Sequence, residues 1–245
     1  PGSILDLQVE PGIHTARLMW RARGNDLDEA TVDGYAVRFD ESPILDADAW
    51  EVAQPLEFSE MIASPGDIQT ALYSGLPGNR ELWFAVRGLD AAGNIAPLSN
   101  AASGFVRQTP RMFRVRADGT GDAPTIQAAI DSSVSLDEIM VEPGVYVENI
   151  NFKGRNVYLH STHGPEVTTI DGSGRVDAVV RFESGEDNDA ILEGFRITKG
   201  RGVFSHASRR GGGIFAENAS PTIASNLLVE NTAEWGGGAY LSVNS

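Results

Sequence analysis

Gly211-Gly212-Gly213-Ile214-Phe215 returns 25 residues later as Gly236-Gly237-Gly238-Ala239-Tyr240. Between the copies run Ser220-Pro221-Thr222-Ile223, Asn226-Leu227-Leu228-Val229 and Asn231-Thr232-Ala233, short segments separated by bend-forming residues. Self-similarity at such a period marks a stacked repeat, in which each unit buries its apolar face only against the next. Earlier segments fit the same three-strand coil. Ile139-Met140-Val141, Val145-Tyr146-Val147 and Ile150-Asn151-Phe152 make one set. Val157-Tyr158-Leu159 leads to Thr168-Thr169-Ile170, and Val179-Val180-Arg181-Phe182 leads to Ile191-Leu192-Glu193 and Phe195-Arg196-Ile197. Taking Ile139, Tyr158, Val180, Ile214 and Ala239 as equivalent gives spacings of 19, 22, 34 and 25 residues. The expected architecture is a parallel β-helix whose coils stack about 4.8 Å apart. The 34-residue coil carries an insertion, placed at Lys199–Arg210. Asn226 and Asn231 stand near bends, where their amides are expected to pair with backbone.

The coil region begins near Phe113. Phe113-Arg114-Val115 reads as a strand and Asp118-Gly119-Thr120-Gly121-Asp122 as a turn. Thr125 is placed to cap a short helix over Ile126–Asp131, with Ile126, Ala129 and Ile130 on one face. Such a helix covers the first coil and protects its edge. At the other end the last coil breaks off at Ser245 without a polar cap. Solenoids need capping repeats, so the expectation is a fragment of a longer protein or an end covered by another chain, with stacking through this open coil as a possible partner mode.

Residues 1–108 read differently. Ala16, Leu18 and Trp20 alternate with Arg17, Met19 and Arg21, a period of two that suits a strand buried on one face. Tyr35, Val37 and Phe39 repeat the pattern after Asp33-Gly34, and Leu82, Phe84 and Val86 repeat it after Pro77-Gly78-Asn79. No segment here has helical length and period. Short strands with regular turn signals predict a β-sandwich. Gln108-Thr109-Pro110-Arg111-Met112 forms a short junction, which predicts two domains, 1–108 and 113–245, that pack against each other.

Bulk properties bound the function. The chain has 245 residues and a formal net charge of −15, from 19 basic and 34 acidic residues. Nucleic-acid binding is disfavoured, because phosphate contacts need a basic footprint. There is no cysteine, so disulfides and thiolate metal sites are excluded. No apolar run is long enough for a membrane span.

Two resemblances follow from these residues. Trp20, Gly34-Tyr35-Ala36-Val37-Arg38-Phe39, Phe84-Ala85-Val86-Arg87-Gly88-Leu89-Asp90-Ala91-Ala92-Gly93-Asn94 and Leu98-Ser99-Asn100 resemble a fibronectin type III domain. The family's corner tyrosine is replaced by Leu82, so packing must hold that corner. Gly121-Asp122-Ala123-Pro124-Thr125-Ile126-Gln127-Ala128-Ala129-Ile130, Val141-Glu142-Pro143-Gly144-Val145-Tyr146, Thr169-Ile170-Asp171-Gly172 and Leu192-Glu193-Gly194-Phe195-Arg196-Ile197-Thr198 resemble the pectin-lyase-like superfamily. That resemblance implies a right-handed parallel β-helix. It does not imply one activity, since the superfamily spans lyases, hydrolases, esterases, adhesins and structural proteins. The Gly-Gly-Gly and Asn-Thr-Ala coils are also similar to repeats of bacterial surface adhesins.

No complete catalytic set is legible. The opening stretch resembles pectin methylesterases, but that family needs glutamines on later coils and none follows Gln127. Calcium, as in pectate lyases, would draw on Glu183, Glu186, Asp187 and Asp189, a stretch that also reads, and more readily, as a solvated turn between strands. No other cofactor is expected. His160 and His163 lack an evident third ligand, and nothing brings the carboxylates Asp171 and Glu193 together. Trp50 and Trp83 could line a sugar platform or belong to the core. The main anomaly is basic. Phe195 to Ala216 contains no Asp or Glu but holds Arg196, Lys199, Arg201, His206, Arg209 and Arg210. A loop on a rigid scaffold with arginine forks suits an anionic glycan, with Lys199 or Arg201 as a base, or it pairs with local acids such as Glu183 and Asp187. The expected function is a secreted or cell-surface scaffold that binds polysaccharide or a cell-surface glycan. The alternatives are a uronate-lyase-like enzyme using residues 199–210 and a structural subunit that stacks end to end.

Overall fold

A computed structural model describes residues 1–25 and 30–242. The described residues are almost entirely β, with two short α-helices among them, and the chain divides into two compact units, Pro1–Thr109 and Pro110–Ser245. The end of the last coil at Ser245 lies outside the described residues. Among those residues, no helix is long and apolar enough to cross a membrane.

The first unit contains β1 (Gln8–Pro11), β2 (Thr15–Arg21), β3 (Gly24–Asn25), β4 (Ala30–Thr31), β5 (Gly34–Asp40), α1 (Ala47–Val52), β6 (Gln54–Leu56), β7 (Ile68–Ser74), β8 (Arg80–Leu89) and β9 (Ala102–Val106). One antiparallel sheet has the order β1-β2-β7 and another the order β6-β5-β8-β9. The period-two residues meet as expected. Ala16, Leu18 and Trp20 share a core with Tyr35, Val37, Phe39, Leu82, Phe84 and Val86. Leu82 is fully buried there, so apolar packing occupies the corner position. The helix α1 departs from the sequence expectation. Six residues are too few to show a helical period, but Asp46 caps it by accepting from Ala49 N at 2.8 Å. It turns Trp50 onto Ile44, Ala53 and Ala85, in a small core separate from the main one.

The second unit begins with β10 (Met112–Val115) and α2 (Ile126–Ser132), followed by β11 (Glu138–Val141), β12 (Gly144–Tyr146), β13 (Ile150–Asn151), β14 (Tyr158–Ser161), β15 (Thr168–Asp171) and β16 (Val180–Phe182). It continues with β17 (Ile191–Glu193), β18 (Arg196–Thr198), β19 (Val203–Ser205), β20 (Ser208–Arg210), β21 (Ile214–Glu217), β22 (Thr222–Ala224), β23 (Leu227–Val229) and β24 (Ala239–Ser242). Three parallel sheets result, in the orders β10-β11-β14-β17-β22, β12-β15-β18-β23 and β13-β16-β21-β24. The chain visits them in rotation, and strands of two to four residues survive because each is hydrogen-bonded to a neighbouring coil, the inner ones on both sides. Ile139, Leu159, Leu192, Ile170, Ile197, Val180, Phe182 and Ile214 all point into one core. Thr125 caps α2 as expected, accepting from Ala128 N at 3.0 Å. The Glu148 carboxylate adds a second cap, accepting from Ile126 N and Gln127 N at 3.0 Å each.

The register corrects the sequence alignment. Ile139 pairs with Leu159, not Tyr158. Val180, Ile214 and Ala239 pair with one another and with Ile150, in a different sheet. The set Ile139, Tyr158, Val180, Ile214 and Ala239 therefore mixes two sheets, because three similar apolar runs per coil let a period count jump between columns. The two asparagines behave as expected. Asn226 accepts from Phe195 N and donates to Leu192 O; Asn231 accepts from Gly200 N and donates to Ile197 O, at 2.8–2.9 Å. Each amide satisfies two backbone groups one coil away. Asn231→Ala is expected to cost about 1–3 kcal/mol by leaving the buried Gly200 N–H unpaired, measured as a drop in the urea midpoint.

Candidate functional site

Residues 199–210 do not form an irregular loop. They hold an antiparallel hairpin in which Val203, Phe204 and Ser205 pair with Arg210, Arg209 and Ser208. His206 and Ala207 make its turn with φ of 49° and 63°. Two positive φ values are what a tight hairpin of right-handed twist requires, normally supplied by Asn-Gly. The absence of that dipeptide hid the hairpin in the sequence. The strand β20 is held to the next coil by Trp235, which donates to Arg209 O and accepts from Gly211 N, both at 3.0 Å.

The structure divides the six basic candidates. Lys199, Arg201 and Arg209 line one groove of about 670 Å³, together with Val176, Glu230 and Glu234. Arg210 faces away, its guanidinium 5.1 Å from the centre of the Tyr240 ring and donating to its hydroxyl at 2.9 Å. His206 lies 3.8 Å from Glu217. Arg196 sits on β18 between Thr169 and Leu227, outside the groove. Alternation along a strand causes this division, since cross-strand partners share a face. For the same reason Phe204, 69% exposed, stands on the Arg209 face of the hairpin.

Within the groove, Lys199 Nζ is 2.7 Å from Asp171 Oδ2. The hydrogen bond and charge of Asp171 raise the Lys199 pKa, with a further push from Glu230. Burial alone would raise the Asp171 carboxyl, but the Lys199 bond and those from Ser173 outweigh it and hold it below the ordinary aspartate value. A base must give up its proton first, so this ion pair argues against Lys199 in that role. Arg201 is different: no hydrogen bond or ion pair of its guanidinium is present among the described residues, although its backbone N donates to Asp177 O at 2.8 Å.

The acidic candidates go elsewhere. Glu183 accepts from Arg181 Nη2 at 2.6 Å and from Asn151 Nδ2 at 2.8 Å. Glu186 is 1% exposed and accepts from Gly154 N and Ser184 N at 2.8 and 2.9 Å. Asp187 accepts from Asp189 N at 2.9 Å, closing a turn. Among the described residues, no three His, Asp or Glu side chains are grouped to hold a metal ion, so the structure does not assemble the calcium set. Glu186 is bound to backbone as a loop anchor. Glu186→Ala is expected to destabilise by about 2–3 kcal/mol, read in a thermal melt with and without added calcium, with no calcium dependence in either protein.

The remaining candidates also separate. His160 hydrogen-bonds Glu138 at 2.9 Å and stacks on Tyr158 at 4.4 Å, while His163 pairs with Thr162. Glu193 accepts from the Tyr158 hydroxyl at 2.7 Å, on a different sheet from Asp171. That hydrogen bond, aided by burial, pushes the tyrosine up to about 12. Trp50 is buried, with Arg38 and Arg87 at 5.1 and 5.2 Å from its ring centre. It cannot form a sugar platform with the half-buried Trp83. Glu230 and Glu234 were not legible as site residues. Glu230 stands beside Lys199 only because Thr198 pairs with Val229 across a register no local motif encodes.

No protein-family model matches the chain, and no curated protein matches it. Among solved structures, a family 28 exopolygalacturonase of Yersinia enterocolitica is 10% identical with a TM-score of 0.38, over 91% of this chain and 60% of that one. A pectate lyase of Pectobacterium carotovorum is 13% identical with a TM-score of 0.29, over 92% and 68%. A titin module from human cardiac muscle is 19% identical with a TM-score of 0.29, over 41% and 86%. This chain thus spans less than two thirds of the exopolygalacturonase.

Proposed function

We propose that the chain is a fibronectin type III-like sandwich followed by a right-handed parallel β-helix, and that the helix binds an acidic polysaccharide in the groove lined by Lys199, Arg201 and Arg209. The observation that carries this reading is the Arg201 guanidinium, which has no partner among the described residues, in a groove that it shares with Lys199 and Arg209 and with the carboxylates Glu230 and Glu234. A guanidinium with no internal partner is a fork for a carboxylate or sulfate. Such polymers are met outside the cell, so this reading places the protein in an extracellular or surface setting. Isothermal titration should give binding to polygalacturonate or alginate and none to neutral dextran. Arg201→Ala is expected to weaken that binding about tenfold, the worth of one charge-assisted contact, with the melting temperature unchanged. Equal affinity of the variant would overturn the assignment.

A second reading is turnover of the same polymer. It is favoured by Glu230 and Glu234, two carboxylates in the same groove as Arg201. A carboxylate pair supports hydrolysis and an arginine supports β-elimination. Release of reducing ends, or ultraviolet absorbance of an unsaturated product, separates the two chemistries from binding alone.

A further inference from the structure

We infer that the binding site extends over successive coils and that Arg175 and Arg201 together read an acidic oligosaccharide lying along the stack. This rests on the glycan-binding reading above. A second groove, of about 420 Å³, is lined by Val147, Glu148, Lys153, Gly174, Arg175 and Arg181. It meets the first at the connection between β15 and β16. Ser173 and Val176 of that connection line one groove, and Gly174 and Arg175 line the other. Arg201 N and Gly202 N both donate to Asp177 O, at 2.8 and 3.1 Å, which ties the two loops side by side.

Both grooves therefore occupy one column of bends. It includes the connections after β12, β15, β18 and β23, at four levels of the same sheet. With strands about 4.8 Å apart, these four levels span about 14 Å. That is longer than one sugar ring and suits a short oligomer.

The charge ledger selects the readers. Lys153 is held by Asp131 at 2.7 Å, Arg181 by Asp177 and Glu183, Lys199 by Asp171, and Arg209 donates to Gly202 O. Arg175 and Arg201 are the two groove cations whose side chains have no hydrogen bond or ion pair among the described residues. They belong to adjacent levels, one in each groove. Two free forks on adjacent coils match anionic groups on neighbouring units of one chain, carboxylate or sulfate, so both are engaged fully only by an oligomer.

The test is titration of the full chain with two series, galacturonate oligomers and chondroitin sulfate oligomers, each from the shortest unit to the hexamer. In the series that supplies the anion, affinity should rise at least about tenfold with length. Arg175→Ala should abolish that rise while leaving binding of the shortest member intact; Arg201→Ala should weaken every member. The series that behaves so identifies carboxylate or sulfate and supports the proposal. Length-independent affinity, or a hexamer that binds Arg175→Ala as it binds the unaltered chain, overturns the extended site and leaves the Arg201 groove standing. No binding in either series overturns both. Arg175 is exposed, and a circular dichroism spectrum confirms that the variant is folded.

Discussion

Phe182→Ala should lower the stability of the second unit by about 3–5 kcal/mol. Phe182 is fully buried, and its ring centre lies 4.2 Å from that of Phe152, one coil away. The strand β16 contributes only three residues, so its place in the stack depends on the side chains it sends inward. Val180 and Phe182 are those side chains. Alanine removes the ring and leaves a cavity that the backbone cannot collapse, because β16 is fixed by hydrogen bonds to β13 and β21. Because each of these short strands is held by its neighbours in the sheet, the loss should appear in hydrogen exchange first at β13, β16 and β21. A loss below about 1 kcal/mol would mean that this part of the core is loosely packed.

Gly200→Ala should cost more than about 3 kcal/mol, beyond ordinary overpacking. A Cβ built at Gly200 falls on the carbonyl oxygen of Gly212 and within 2.8 Å of Val179 Cγ2. That carbonyl accepts from Val179 N. Gly200 itself is fixed on both sides: its N donates to Asn231 Oδ1 and its carbonyl accepts from Thr232 N. No rotamer change relieves a clash between a methyl group and backbone. The variant must push apart Gly200 and Gly212, the two ends of the hairpin insertion within one coil, and it should distort the groove with them. Gly238→Ala is the control. A Cβ there meets only Leu228 side-chain atoms at 3.8 and 4.0 Å, ordinary contact. Its midpoint should stay within about 1 kcal/mol. Equal costs at Gly200 and Gly238 would refute the close approach at Gly200.

Much of the architecture was legible because it is periodic. Alternation at Ala16, Leu18 and Trp20, and again at Tyr35, Val37 and Phe39, is a one-dimensional signal of a half-buried strand, and those residues are buried together. The repeated Gly-Gly-Gly run and Asn226 and Asn231 carried the coil for the same reason: a bend needs these residues wherever the chain turns. Thr125 declared α2 through its cap. The errors arose where the information was not local. The helix α1 was too short to show a period, and the alignment of Ile139 with Val180 crossed between sheets whose apolar runs look the same.

For the candidate site, the sequence by itself determined that a cationic, acid-free stretch interrupts the longest coil of an acidic chain. It did not determine which of those cations act together. That was decided by tertiary structure, through two physical facts. Strand pleating sends Arg209 and Arg210 to opposite faces, so neighbours in sequence part company. Coil stacking brings Asp171, Lys199 and Glu230 to adjacent levels of one bend, though they lie about one coil apart along the chain. The Asp171–Lys199 bond then takes the lysine out of contention as a base, while Arg175 and Arg201 are left as free forks. Composition carries the sign of the charge; register decides which charges are spent within the protein and which face a ligand.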